Sequence, residues 1–399
     1  VKRFMKVFAT LFVVLAVAGC SGQKKPSNET VNLKVWGSQE SQELLTERVE
    51  AFKKANPDKK YEIEIKVVGE PDARDMVTQD LDAAADVFAF ANDQLKDLVE
   101  AGALYEITKN KEQVVKDNVE GSIESATLND KLYAYPMTAD NGYFMYYDKS
   151  VFSEEDVKSL DAMIKAAEQK NKKIFMDVSN GWYIASFFLG AGNKIEIKDG
   201  KQVLDFNNET GVKVGEVIRK FTASPAFITG DDAILQAGMG DTIAAGVSGS
   251  WVAKGVSEKL GDNYAAAKLP SYTLDGKEVQ MASFGGYKLM GVKKNTKNPV
   301  DALALAEFLT NEESQLARFK KQELGPSNIK AAANPDVAAN VALKALADQA
   351  PFAHSQNDVL GSFWKPAEAF GLALEDKNQD SMKTLLDKMV SQIQDGVVE

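Results

Sequence analysis

Apolar positions recur along this chain with two different spacings, and the alternation between them sketches its layout. Val31 to Trp36 form a short apolar-rich strand closed by Gly37-Ser38, after which Leu45, Val49 and Phe52 fall on one face of a helix that stops at Asn56-Pro57. Tyr61, Ile63, Ile65 and Val67 alternate with Glu62, Glu64 and Lys66, the pattern of a half-buried strand. Asp86 to Ala91 is nearly all apolar, as a strand covered on both faces requires. The body therefore opens in a β/α rhythm.

Lys131 to Tyr135 and Tyr143 to Tyr147 read as two further strands, with Thr138 to Gly142 as the link between them. From Val151 the rhythm resumes with fresh elements: helices over Glu155–Gln169, Trp182–Leu189, Glu209–Phe221 and Asp231–Met239, and strands near Lys173–Met176, Thr242–Val247 and Tyr264–Leu269. This is the signature of a second α/β lobe. Phe284 to Val292 is another strand, opened by Gly285-Gly286. Asn298-Pro299 starts a helix, and Thr310-Asn311-Glu312-Glu313 reads as the capping box of the next. After Gly325-Pro326 the pattern is helical throughout, with no strand expected.

A length of 399 residues also exceeds what one hydrophobic core usually organises, which favours two lobes. The chain has one Cys and one His, so a disulfide framework, a Cys/His zinc cluster and a thiol redox pair are all excluded. Lys2, Arg3 and Lys6 precede an apolar run from Val7 to Ala18, too short to span a bilayer but suited to a secretory signal. The run ends in Val17-Ala18-Gly19-Cys20. Small residues before the lone cysteine resemble a bacterial lipobox, so residues 1–19 are expected to be a signal peptide and Cys20 the lipidated first residue of the mature chain. Ser21 to Thr30 is polar and aperiodic, a flexible tether. Loss of the leader, which holds three of the 47 basic residues and no acid, takes the net charge from −11 to −14. Such a chain repels phosphate backbones and does not suit nucleic acid as a partner. An exported, anchored protein of this kind is a solute receptor, a hydrolase or an adhesin.

Catalytic signatures fail. There is no phosphate-binding loop, and Gly246-Val247-Ser248-Gly249-Ser250 misses G-x-S-x-G at its last position. Ser327-Asn328-Ile329-Lys330 matches S-x-x-K without the companion motifs and reads as a helix start. His354 lies in a polar stretch, as a solvated or capping side chain does. Asp376, Asn378 and Asp380 have calcium-loop spacing, but Ser381 stands where the loop needs Gly. Nothing singles out a carboxylate pair for a glycosidase.

The four tryptophans say more. Trp36, Trp182, Trp251 and Trp364 each stand at or near a junction between elements. In α/β folds ligands bind beyond the carboxyl ends of strands, and flat aromatic faces there suit the apolar C–H faces of pyranose rings; core burial is the alternative. Beyond the leader the chain has only Arg48, Arg74, Arg219 and Arg318, all in expected helices, which favours a neutral ligand over an anionic one.

Several segments, weak singly, are specific in their order and spacing. They are Leu33-Lys34-Val35-Trp36; Asp86 to Asp93 (DVFAFAND) with Ala101-Gly102-Ala103-Leu104; Leu132 to Met137 (LYAYPM); Tyr146-Tyr147-Asp148-Lys149; Gly249-Ser250-Trp251; Leu269-Pro270; Phe284-Gly285-Gly286; and Ser362-Phe363-Trp364. Together they resemble the extracellular solute-binding proteins of ABC transporters, in particular the maltose/maltodextrin-binding group, from about Leu33 to Asp387. The resemblance implies a two-lobed periplasmic-binding-protein-like α/β fold of type II with a helical C-terminus. One lobe would comprise residues 31–138 and 287–322, the other 142–284 and 327–395, with crossings near Thr138–Gly142, Ser283–Gly286 and Glu323–Pro326.

The resemblance also implies a function and a site. The protein would be a monomeric, cofactor-free lipoprotein on the outer face of the cell membrane, capturing maltooligosaccharides for a permease. A receptor for another neutral oligosaccharide and an anchored glycoside hydrolase are the alternatives. Phe90 matches an aromatic wall of the sugar cleft, Asp93 a carboxylate accepting from sugar hydroxyls, Asp140 an acidic contact at the first crossing, and Trp182, Trp251 and Trp364 stacking platforms. Gln39 stands where Lys is frequent, Gln94 where Arg is, Phe90 where Trp is, and Asn180 where Glu is. These departures bear on which oligosaccharide is bound.

Overall fold

The computed structural model describes residues 30–396. The expected signal peptide, Cys20 and the tether up to residue 29 lie outside the described residues, and Thr30 already begins the first strand. Among the described residues no helix is long and apolar enough to cross a membrane.

Strands β1 (Thr30–Gly37), β2 (Lys60–Val67) and β3 (Val87–Ala91) run parallel, with Val31 opposite Tyr61 and Trp36 opposite Phe88. Helix α1 (Gln42–Ala55) connects β1 to β2 and buries Leu45, Val49 and Phe52, the stripe that its periodicity predicts. All five residues of β3 are buried, as its unbroken apolar run requires. Phe90 is among them. It has no exposed surface and packs against Phe88 and beneath Gly291, so it is a core residue of this lobe and not a cleft wall. On a five-residue strand with helices on both faces, the second apolar side chain of each pair has nowhere to point but inward. Truncating Phe90 to Ala would cost ~3–5 kcal/mol of stability.

Strand β4 (Ala134–Gly142) lies in this first sheet and passes through Tyr143 directly into β5 (Phe144–Asp148) of a second. The link expected at Thr138–Gly142 is thus itself strand. The second sheet adds β6 (Lys173–Phe175), β7 (Phe227–Ile228), β8 (Ile243–Ser248) and β9 (Tyr264–Ala267), in the order β7-β6-β8-β5-β9. Met145 and Tyr147 of β5 face one core and Phe144 and Tyr146 the other, so both faces of this sheet are covered. Helix α2 (Gly181–Gly190), nearly all apolar, is buried against the C-terminal helix Trp364–Glu375, the helix Glu209–Ala223 and the returning strand Ser283–Val292. Hairpins over Ile195–Leu204 and Ser271–Gln280, too short and polar to stand out in the sequence, complete the lobe.

The chain returns on β10 (Ser283–Val292), antiparallel to both β3 and β4, and continues into helices α3 (Pro299–Thr310) and α4 (Glu312–Gln322). The cap of α4 is Asn311 and not Thr310: its side-chain oxygen accepts from the Ser314 N–H at 2.9 Å, while Glu313 pairs with Arg48. Ser327 and Asn328 still belong to the first lobe by their bonds to Gln315 and Asn118, so that lobe extends past the boundary expected at residue 327. A three-residue strand β11 (Ala353–Ser355) joins β10 where only helix was expected. Its side chains are exposed and carry no alternation, so the pattern left no trace of it. Helices α5 (Trp364–Glu375) and α6 (Met382–Asp395) close the second lobe.

The three expected crossings lie side by side. Gly285 is paired with Gly142 and Gly286 with Asn141, while the Ala139 N–H donates to the Gly325 carbonyl at 2.9 Å. A Cβ on Gly286 would sit 2.3 Å from the Asn92 side-chain oxygen, which accepts from the Tyr287 N–H at 2.8 Å, so glycine here leaves room for that bond.

Candidate functional site

Loops following β1, β2 and β3 in one lobe, and β6 and β8 in the other, face the crossings at the carboxyl ends of their strands. The site expected there is partly assembled. Trp182 begins α2, whose N-cap is Asn180: its oxygen accepts from the Trp182 N–H at 3.0 Å. Trp251 follows β8 in the turn Ser250–Val252. The two indoles lie 5.9 Å apart between centroids at 36°, and Tyr143 packs edge-on against Trp182 at 4.5 Å.

Both indole N–H groups are committed. Trp182 Nε1 donates to Gln356 Oε1 at 3.2 Å, and Trp251 Nε1 donates to Asp232 Oδ2 at 2.7 Å. The other oxygen of Asp232 accepts from Ser248 at 2.7 Å, so this carboxylate at the start of the helix Asp232–Gly238 fixes both the end of β8 and the ring beyond it. With both N–H groups committed, only the ring faces remain, and that of Trp251 is approached by Lys288, whose Nζ lies 5.0 Å from the ring centre. The Trp251 ring lies over Gly249, where a Cβ would come within 2.0 Å of it.

Gln356, buried just after β11, ties the parts together. Its Oε1 also accepts from Asn141 on the first crossing at 3.0 Å, and its Nε2 donates to Asp93 Oδ1 at 2.8 Å. One side chain thereby joins the first lobe, a crossing and the second lobe. The next residue, Asn357, hydrogen-bonds Asn92 and, at 3.3 Å, Ser125 of the first lobe. Sequence reasoning passed over Gln356 because its neighbours are polar and read as solvent-facing.

The remaining expected residues divide. Trp364 is half-buried at the start of α5, edge-on to Phe284 at 5.9 Å and Phe363 at 5.1 Å, against the Gly181 end of α2. Gln39 is exposed in the turn after β1, and Asn180 is exposed with its oxygen used in capping. Gln94 is buried and holds the turn after β2 by donating to the Glu70 carbonyl at 2.8 Å. Trp36 is a core residue, 7% exposed. Asp140 is 2% exposed: its Oδ2 accepts from the Gly325 N–H at 2.6 Å and from the Ser250 hydroxyl, so it braces the crossings instead of facing an open cleft.

The arginines are engaged within the protein. Arg48 pairs with Glu313 at 2.7 Å, Arg74 with Asp75 and Asp97, and Arg219 with Glu216. Arg318 is buried and donates from Nη2 to the Leu309 carbonyl at 3.3 Å, while its Nε and Nη1 have no hydrogen-bond partner among the described residues. This arrangement suits an uncharged ligand. Among the described residues no cluster of His, Cys, Asp and Glu could hold a metal ion.

Known proteins resemble this chain over most of its length. The sequence model of the bacterial extracellular solute-binding protein family matches residues 47–345. A galactooligosaccharide-binding protein of Bacillus subtilis (strain 168) is 28% identical over 383 residues, covering 90% of this chain and 88% of its own. A solved structure with acarbose is 34% identical, with a TM-score of 0.84 over 92% of this chain and 99% of that one. The ligand-free maltodextrin-binding protein MalE1 from L. casei BL23 is 27% identical, with a TM-score of 0.75 over 92% and 100%.

Asp93 has a distinct titration. Burial lifts its carboxyl from 3.8 to about 7, against the lowering effects of Arg74, the local backbone and the Gln356 amide. The folded state therefore holds a proton that the unfolded chain has released, and this contribution to stability is lost as pH rises from about 4 through about 7. Asp93→Asn keeps an oxygen for Gln356 and removes the titration. Between pH 5 and pH 8 the melting temperature of the wild type should fall more than that of Asp93→Asn; parallel profiles would contradict this environment for Asp93.

Proposed function

Since the chain belongs to the bacterial extracellular solute-binding proteins, a family of binding proteins and not of enzymes, we propose that it captures maltodextrin-type oligosaccharides between its lobes for delivery to an ABC transporter permease. The observation that carries this reading is the pair Trp182 and Trp251. Their N–H edges are tied down by Gln356 and Asp232, and their faces are presented between the lobes beside Asp93. Ring faces take the apolar C–H surface of a pyranose, while Asp93 and amide groups meet its hydroxyl rim.

Binding is a hinge event in this account. Trp182, Trp251 and Trp364 belong to one lobe and Asp93 to the other, so a sugar touching both sides stabilises the arrangement in which they face each other. It shifts the population by its differential affinity. The acarbose structure and the maltodextrin-binding relative favour α-glucan chains; the galactooligosaccharide-binding relative keeps β-galactosides as the second candidate. The lipobox at Cys20 supports attachment of the mature protein to the outer face of the membrane. One diacyl group brings two chains, enough for stable anchoring.

Two experiments test this. A thermal-shift panel of maltotriose, maltotetraose and β-galactooligosaccharides should show the largest stabilisation with the maltodextrins, because saturating ligand at ~100 times its dissociation constant adds ~2.7 kcal/mol. In calorimetry with maltotriose, Trp251→Ala should bind at least ~10-fold more weakly, ~1.4 kcal/mol, with a near-unchanged apo melting temperature. Full affinity in that folded variant would remove the stacking site. For the anchor, Cys20→Ser should pass from the membrane fraction to the medium; equal retention of both forms would end that part of the proposal.

A further inference from the structure

Beneath Trp251 lies a pair of opposite charges that the aromatic account leaves unused. Lys288 interrupts the apolar run of β10, and its side chain is only 9% exposed. Its Nζ stands 5.0 Å from the centre of the Trp251 ring and 3.8 Å from Glu70 Oε2. Glu70, whose side chain is 6% exposed, begins the turn after β2. The separation is too long for a direct hydrogen bond between the two groups. Two charged groups so little exposed, and not hydrogen-bonded to each other, keep donor and acceptor capacity that a ligand entering beside Trp251 can use.

The surroundings sharpen the point. Lys288 is paired in the sheet with Thr138, so the two share a face of it, and Asp140 follows two residues later on the same strand. Thr138 Oγ1 and Asp140 Oδ1 are both buried and without a hydrogen-bond partner among the described residues. Burial opposes the charge on Lys288, yet Glu70, Asp140 and Glu40 outweigh it and hold its ammonium above the ordinary lysine range, so it is a full cation at neutral pH. Gln39, in the turn beside Glu40, is exposed and offers no charge.

We propose that Lys288 and Glu70 are a hydroxyl-recognition pair for the sugar ring stacked on Trp251, the ammonium donating to one ring hydroxyl while the carboxylate accepts from the same or the adjacent one. A vicinal diol carries a donor and an acceptor at each oxygen and spans a gap of this size, so it satisfies both groups without transferring any net charge. The pair is neutral as a whole, which agrees with a neutral ligand. It would set which hydroxyls the bound ring must carry at the Trp251 position. This assignment rests on the sugar-binding reading above and adds to it two residues outside the expected set.

The test is a double-mutant cycle read by calorimetry with maltotriose, using Lys288→Met, Glu70→Gln and the double variant, each with its apo melting temperature. The single variants leave one buried charge of the pair alone and should be less stable; the double variant should regain part of that stability, Asp140 then having only Arg318 as its nearby cation. If the pair reads hydroxyls, all three bind maltotriose at least ~10-fold more weakly than the wild type, the stable double variant included. If the two groups only neutralise each other, the double variant binds with wild-type affinity, which overturns the assignment while the sugar reading stands. Wild-type protein that binds neither maltotriose nor β-1,4-galactotriose overturns both.

Discussion

Three separate stretches of chain pass between the lobes, and the carboxylate of Asp140 is where they are held together. It sits on the first crossing, accepts from the backbone N–H of Gly325 on the third at 2.6 Å, and accepts from Ser250 at the start of the second lobe's cleft turn. The second crossing lies alongside, Gly286 opposite Asn141. An ion in so dry a place costs several kcal/mol unless its surroundings replace water. Two donors on one oxygen and the nearby cations of Lys288 and Arg318 do so here. Arg318 is itself strained by the arrangement: burial pulls its guanidinium down to about 10 against the opposing fields of Glu70 and Asp140.

From that brace the binding face follows. Ser250 precedes Trp251, so the group that holds Asp140 also sets where the second lobe's indole begins. Gly249 and Asp232 then fix its plane. On the opposite side Gln356 links Asn141 of the crossing to both Asp93 and Trp182. The polar network thus spends the hydrogen-bonding edges of Trp182 and Trp251 on the protein itself. In a receptor that grips a sugar and then releases it, this division puts the aromatic rings on one lobe, Asp93 on the other, and a hydrogen-bonded junction between them about which they turn.

Much of this layout was legible in the chain. The fully apolar β3 and the amphipathic α1 announced themselves, and the resemblance carried the two-lobed fold. Asp93, Trp182 and Trp251 converge in the structure, while Phe90 does not join them. An aromatic at a strand end looks the same in a sequence whether it points into a core or a cleft; β3 is buried along its whole length, so Phe90 is core whichever face it takes. Asp140 lies on the strand that runs from one sheet into the other, but its burial depends on Gly325 and Ser250, 185 and 110 residues away. Gln356, Asp232, Glu70 and Lys288 had no local motif. Of these only Lys288 left a trace, a charge within an apolar strand.

Hydrogen–deuterium exchange with and without maltotriose tests the central claim most directly, because it reads both lobes in one experiment. The account predicts that the sugar slows exchange together in the turn after β3 around Asp93, at the start of α2 around Trp182, in the turn around Trp251 and in the segment from Gln356 to Trp364. Protection confined to one lobe, or no protection by a sugar that binds, would contradict a ligand held between the two.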